Sequence, residues 1–188
     1  MGADAHEIVR SGSYIVLNAG NGGIFRSSNN GASWEWSGWG LPCDQQVIAL
    51  SVSNNTLYAS INGYGVYIST DNGGSWSPIN NGVEDGTFYA LFVDRINLFA
   101  GDSQGGMYYS DNNGTTWMDR SAGVGDVTFA SFALFNSKFY AGGRSSNNSS
   151  RYLFESSDNG LTWKQLNIPG IGSNGVRSMV AHNGLLFI

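Results

Sequence analysis

Charge is scarce in this sequence: 12% of its 188 residues are charged, against roughly 25% in an average globular domain. Only two lysines occur, Lys138 and Lys164, and the net charge is −5. Non-specific phosphate binding needs clustered Lys and Arg, so no nucleic-acid partner is expected. Cysteine is nearly absent. Cys43 stands alone, which excludes an intrachain disulfide, and with no neighbouring His or Lys to activate it the thiol reads as inert. His6 and His182 are the only histidines, which removes His-rich zinc sites and most Ser-His-Asp chemistry. No metal or cofactor is expected. There is no run of eighteen apolar residues, so membrane insertion is not expected either. The first residues, Met1 to Glu7, lack the basic and apolar regions of a signal peptide.

Glycine and aromatic residues are plentiful instead, with 27 Gly, 10 Phe, 9 Tyr and 6 Trp. That balance favours tight turns and half-buried strands over a coiled coil or helical bundle. Four segments are also copies of one another. They are Gly23–Trp34, Gly65–Trp76, Gly106–Trp117 and Tyr152–Trp163, and their closing tryptophans are 42, 41 and 46 residues apart. A period near 42 matches the blades of β-propellers, about 40–50 residues.

Each repeat reads as four short strands. In the second, Val47–Val52 is apolar enough to be buried on both faces, Asn54-Asn55 turns into Leu57–Ser60, Asn62-Gly63 into Val66–Ser69, and Asp71–Gly73 into Trp76–Ile79. The expected fold is all-β: one propeller region, 1–188, of four-stranded antiparallel blades at 4–40, 44–82, 85–123 and 126–170, with a partial blade at 174–188.

The shared motif is Ser-x-Asp/Asn-x-Gly-x-Ser/Thr-Trp. Its carboxylate or amide (Asn29, Asp71, Asn112, Asp158) can bond N–H groups two residues on, closing an Asx-type turn. Gly31, Gly73, Gly114 and Gly160 supply a positive φ. Trp34, Trp76, Trp117 and Trp163 should pack between neighbouring sheets. Two of the four copies have Asn in place of Asp, which a calcium or catalytic site would not tolerate, so the box reads as structural.

This pattern resembles the Asp-box (BNR) repeat of sialidase-like β-propellers, a superfamily that includes xyloglucanases, sortilin-type receptors and a photosystem II assembly factor. The resemblance implies a fold and leaves function open. Sialidase chemistry would need three arginines clamping a carboxylate, a tyrosine nucleophile with a glutamate, and an acid aspartate. The sequence has seven arginines but lacks the family's Arg-Ile-Pro stretch. The reading is therefore a non-catalytic, extracellular or periplasmic recognition or scaffold propeller, binding a glycan or a protein. The alternatives are part of a sialidase- or xyloglucanase-type glycoside hydrolase, and an assembly factor docking on a protein complex.

Variation between repeats marks candidate binding residues. Trp36 and Trp39, in the connection after the first repeat, could stack on a pyranose, and Tyr64 and Arg144 lie in turns expected on the same face. The fourth repeat is five residues longer in the segment Gly143–Arg151. Asp4, Asp44, Asp85 and Asp126 recur at spacings of 40, 41 and 41 ahead of the innermost strands. They suit either Asx turns or an acidic ring at the channel mouth. At the other end, Val176–Ala181 and Leu185–Ile188 align with the two inner strands of a further blade. That predicts exposed apolar edges, as in a fragment of a larger ring or in a chain that self-associates.

Overall fold

The computed structural model describes residues 6–44, 46–83, 86–145, 150–167, 169 and 176–188. Within them the chain forms four four-stranded antiparallel sheets and one two-stranded hairpin. The first sheet holds β1 (Glu7–Ser11), β2 (Tyr14–Asn18), β3 (Ile24–Ser27) and β4 (Glu35–Trp36). The second holds β5 (Val47–Ser53), β6 (Thr56–Ile61), β7 (Gly65–Ser69) and β8 (Ser77–Pro78). The third holds β9 (Phe88–Asp94), β10 (Asn97–Asp102), β11 (Met107–Ser110) and β12 (Met118–Asp119). The fourth holds β13 (Val127–Phe135), β14 (Lys138–Ser145), β15 (Arg151–Ser156) and β16 (Lys164–Leu166), and the hairpin is β17 (Val180–His182) with β18 (Leu185–Phe187). The first strands of successive sheets pack on one another, which sets them around a common axis with the fourth strands outermost. Among the described residues no helix is long and apolar enough to cross a membrane.

Each fourth strand starts one residue later than the sequence suggests. Trp76 N–H donates to the Trp39 carbonyl at 2.8 Å and Trp117 N–H to the Asn81 carbonyl at 2.9 Å. Those amides bind the preceding connection, so they cannot join their own sheet.

The core divides by seam. One cluster, with Val16, Leu57 and Trp76, joins the first two sheets; a second, with Tyr58, Leu98 and Trp117, joins the next two. A third, with Phe99, Phe129 and Phe139, joins sheets three and four. At its centre the Phe99 ring meets Tyr109 at 4.8 Å and Phe139 at 4.6 Å. Burial of these rings and aliphatic chains supplies the main stabilising term, since neighbouring blades share no covalent link beyond the chain itself.

The tryptophans do not share one environment. Trp76 and Trp117 are buried, and their indole N–H groups donate to the carbonyls of Ser37 and Ile79 at 2.8 and 2.6 Å. Trp163 is half-buried and its Nε1 lacks an acceptor among the described residues; Arg120 stands where Ser37 and Ile79 stand in the other seams. Trp34 is 40% exposed, contrary to the expectation of inter-sheet packing. The described residues place no sheet on its outer side, so the indole has nothing to pack against.

The terminal hairpin exposes Val180, Leu185, Phe187 and Ile188. Val176 departs from the expected exposure. It is buried against Gly142, where an added Cβ would lie 2.4 Å from its Cγ1.

Candidate functional site

The four boxes come first because they are the most regular feature. The buried first serine of each box (Ser27, Ser69, Ser110, Ser156) donates to the Asx oxygen at 2.7–2.9 Å and accepts the box glycine N–H at 2.9 Å. The Asx oxygen accepts the N–H four residues on, not two: Ser33, Ser75, Thr116 and Thr162 donate at 2.9–3.0 Å. The expected two-residue bond is made by serine instead, as in Asn29 N–H to Ser27 Oγ at 3.3 Å. The sequence does not mark this serine, because its position looks interchangeable with any turn hydroxyl; only its burial reveals the role. Gly31, Gly73, Gly114 and Gly160 have φ of 78–87°, as expected.

Asp and Asn boxes differ only in proton direction. The Ser75 and Thr162 hydroxyls donate to Asp71 and Asp158 at 2.8 and 2.6 Å, whereas Asn29 and Asn112 donate through Nδ2 to Ser33 and Thr116 at 2.8 Å. Each of these side-chain oxygens thus accepts at least one bond from within its own turn, as a structural role requires.

These bonds tune acidity. Bonds from the Thr162 hydroxyl, the Thr162 N–H and the Ser156 hydroxyl hold Asp158 down to about 2. For Asp71, burial pushes upward, but the Ser75 N–H and the Ser69 and Ser75 hydroxyls outweigh it and bring it below its ordinary 3.8. A depressed value means that stabilisation is complete above 3.8 and is lost as pH falls through the folded value. Glu7 has the opposite sign. Burial raises it above 4.5 despite bonds from Asn18 and the Leu50 N–H, so its contribution is present below 4.5 and lost as pH rises through its folded value. Asp71→Asn with Asp158→Asn, which copies the other two boxes, should therefore flatten the stability loss between about pH 4 and 2. Denaturant unfolding across that range checks this, and an unchanged slope would refute it.

The box turns lie at the end of the sheets that carries the first hairpin turns, as Ser11 Oγ to Asn72 Oδ1 at 2.9 Å and Asn113 N–H to the Ile96 carbonyl at 3.0 Å show. The sheet-to-sheet connections and the turns between second and third strands open on the opposite face. Two pockets lie there. The first, of about 250 Å³, sits between sheets one and two and is lined by Trp36, Leu41, Cys43, Asp44, Val47 and Ile61 among others. Trp36 and Trp39 meet edge to face at 5.1 Å, and they are 48% and 67% exposed. Gly38 makes this possible, because a Cβ there would stand 2.6 Å from Trp36 Cζ2.

The second pocket, of about 330 Å³, lies between sheets three and four and the start of the hairpin region. It holds Arg144 and also Tyr89 and Arg177, which sequence reasoning missed. Tyr89 owes its position to a bulge. The β9–β10 register skips from Phe88↔Asp102 to Ala90↔Gly101, and β13–β14 skips Ala130 in the same way. An unpaired residue of this kind turns out of the pleat. Ile48, Tyr89 and Ala130 are spaced 41 and 41 residues apart and are the bulged positions of three blades. No local residue type marks such a bulge.

The predicted ligand residues therefore divide. Trp36 and Trp39 come together, Arg144 lines the other pocket, and Tyr64, exposed at the turn after β6, lines neither. The described residues flanking 146–149 in the fourth-repeat insertion continue the β14–β15 ladder, with Arg144 pairing with Arg151. Of the four aspartates in register, Asp44 and Asp126 are exposed ahead of β5 and β13, and Asp4 and Asp85 lie outside the described residues. Among the described residues no group of three His, Cys, Asp or Glu is placed to hold a metal.

Four sheets around one axis, each closed by an Asp box, define a β-propeller of Asp-box blades. The BNR/Asp-box repeat family matches at residues 67–78, within the second box blade. An ancestral GH74 enzyme superposes with a TM-score of 0.71 at 20% identity over 89% of this chain and 24% of its own. YCF48 from Cyanidioschyzon merolae does so with 0.63 at 15% identity over 87% of this chain and 56% of its own. The extracellular domain of a B. thetaiotaomicron protein described as a one component system gives 0.72 at 16% identity over 95% of this chain and 25% of its own. The chain thus spans between a quarter and about half of these structures, and the likeness is one of fold. No curated protein sequence matches it.

Proposed function

We propose that this chain is a non-catalytic recognition propeller, working outside the cytoplasm, that binds a saccharide at the Trp36–Trp39 platform. The observation that carries this reading is the exposed, mutually braced pair of indoles, of which Trp36 lines a largely apolar pocket and Trp39 braces it. An indole face suits the C–H side of a pyranose, and the edge-to-face brace holds it ready before binding. Asp44 at the pocket wall offers an acceptor for sugar hydroxyls.

Calorimetry with neutral oligosaccharides, xyloglucan fragments included, tests this. Trp36→Ala and Trp39→Ala should each weaken binding at least tenfold. Both side chains are largely solvent-exposed, so the thermal midpoint should hardly move. Gly38→Ala should weaken binding too, by pushing the Trp36 ring aside. Turnover of xyloglucan or a sialoside would establish the glycoside hydrolase reading in its place. Absence of saccharide binding, with capture of a defined protein partner on the same face, would favour the docking-factor reading.

A further inference from the structure

We propose that the pocket at the channel mouth between the third and fourth sheets is a second, independent binding site whose ligand is a small phosphate monoester. This goes beyond the saccharide platform, which lies between other sheets. Two guanidinium groups, Arg144 on β14 and Arg177 ahead of β17, line the pocket, and its lining contains no carboxylate. Among the described residues the ion pairs are Arg26–Glu35 and Lys138 and Lys164 on Glu155, so neither pocket arginine is neutralised by an acid.

Arg144 is also set directly opposite Arg151 across the β14–β15 ladder. Like charges in that relation destabilise a sheet. An anion held beside Arg144 would offset the repulsion. The chain is acidic overall, with a net charge of −5, so two arginines lining one pocket with no acid paired to them among the described residues are a local exception and not a general surface property.

The remaining walls suit an organic body. The β9 bulge swings Tyr89 outward, 47% exposed, and Phe129 and Val176 supply an apolar floor. Gly143 lets β13 lie close against β14 beside Arg144, since a Cβ there would lie 2.5 Å from the Thr128 carbonyl oxygen. About 330 Å³ is at the lower end of ligand pockets, which run from roughly 300 to 1,000 Å³, and fits one ring-sized body rather than a polymer segment. Two forked guanidinium groups match a phosphate monoester, which carries about −1.5 to −2 at neutral pH on three acceptor oxygens, better than a single carboxylate.

Titration calorimetry with glucose 6-phosphate, glucose, galacturonate and inorganic phosphate tests the assignment. In the Trp36→Ala protein, which lacks the saccharide platform, the ester should bind, glucose should not, and galacturonate should bind at least tenfold more weakly than the ester. Arg144→Gln and Arg177→Gln should each weaken the ester at least tenfold; thermal unfolding confirms that these exposed substitutions leave the fold intact. Tyr89→Ala should weaken the ester while leaving inorganic phosphate unchanged, and Trp36→Ala should affect neither. Galacturonate binding as tightly as the ester would overturn the phosphate assignment. Inorganic phosphate binding as tightly as the ester would overturn the role of the apolar wall. Ester binding insensitive to both arginine changes would overturn the site. Because Trp36→Ala and neutral saccharides report on the other pocket, either proposal can fail alone.

Discussion

Replacing Trp117 with alanine should lower the free energy of unfolding by about 3–5 kcal/mol, and Trp76→Ala should do the same. Both indoles are buried in a core cluster that joins two sheets, and both N–H groups are bonded across the seam. Removing either leaves a cavity and an orphaned carbonyl at once, in the place where blades hold each other. The same substitution at Trp34, 40% exposed, should cost about 1 kcal/mol or less. Phenylalanine separates the two contributions. Trp117→Phe loses a hydrogen bond of about 1 kcal/mol that Trp163→Phe does not lose, because the Trp163 N–H has no acceptor among the described residues. Denaturant unfolding followed by fluorescence measures all five variants. Equal losses at Trp34 and Trp117 would contradict the packing assigned to them.

Alanine at Gly82 should cost roughly 3 kcal/mol, and alanine at Gly123 only about 1. The two glycines hold equivalent places in successive connections, six residues after a box tryptophan, and both have positive φ, 94° and 84°. The backbone strain of a side chain is therefore similar at both. Contact is not. A Cβ on Gly82 would stand 2.5 Å from the Trp117 carbonyl oxygen, whereas nothing lies within 4 Å at Gly123. Gly82→Ala must therefore part the connection from the tryptophan whose N–H bonds the Asn81 carbonyl. A three-fold difference in cost between the two variants would mark the seam between sheets three and four as the looser one. Equal costs would place the penalty in backbone strain alone.

The repeat made the architecture legible before any coordinates. Four boxes at near-constant spacing specify four hairpins, and the strands read in the second repeat, Val47–Val52, Leu57–Ser60, Val66–Ser69 and Trp76–Ile79, fall within a residue of β5 to β8. Glycine at the positive-φ position and the Asx residue two places before it were equally plain, because their roles are local: each is satisfied within one turn of chain. Tertiary structure decided everything that depends on a neighbour. Trp34 and Trp117 close equivalent boxes, and among the described residues only Trp117 has a preceding sheet to pack against, which buries it and not Trp34. Trp36 and Trp39 are both legible as candidate platform residues, but that they touch depends on the missing side chain at Gly38. Tyr89 carries no signal at all. A one-residue slip in ladder register turns it toward Arg144 and Arg177, which are 55 and 88 residues away along the chain. Short-range hydrogen bonding is written in residue type and spacing; a pocket is written in which strands meet and at what register, and those are settled only when the sheets pack.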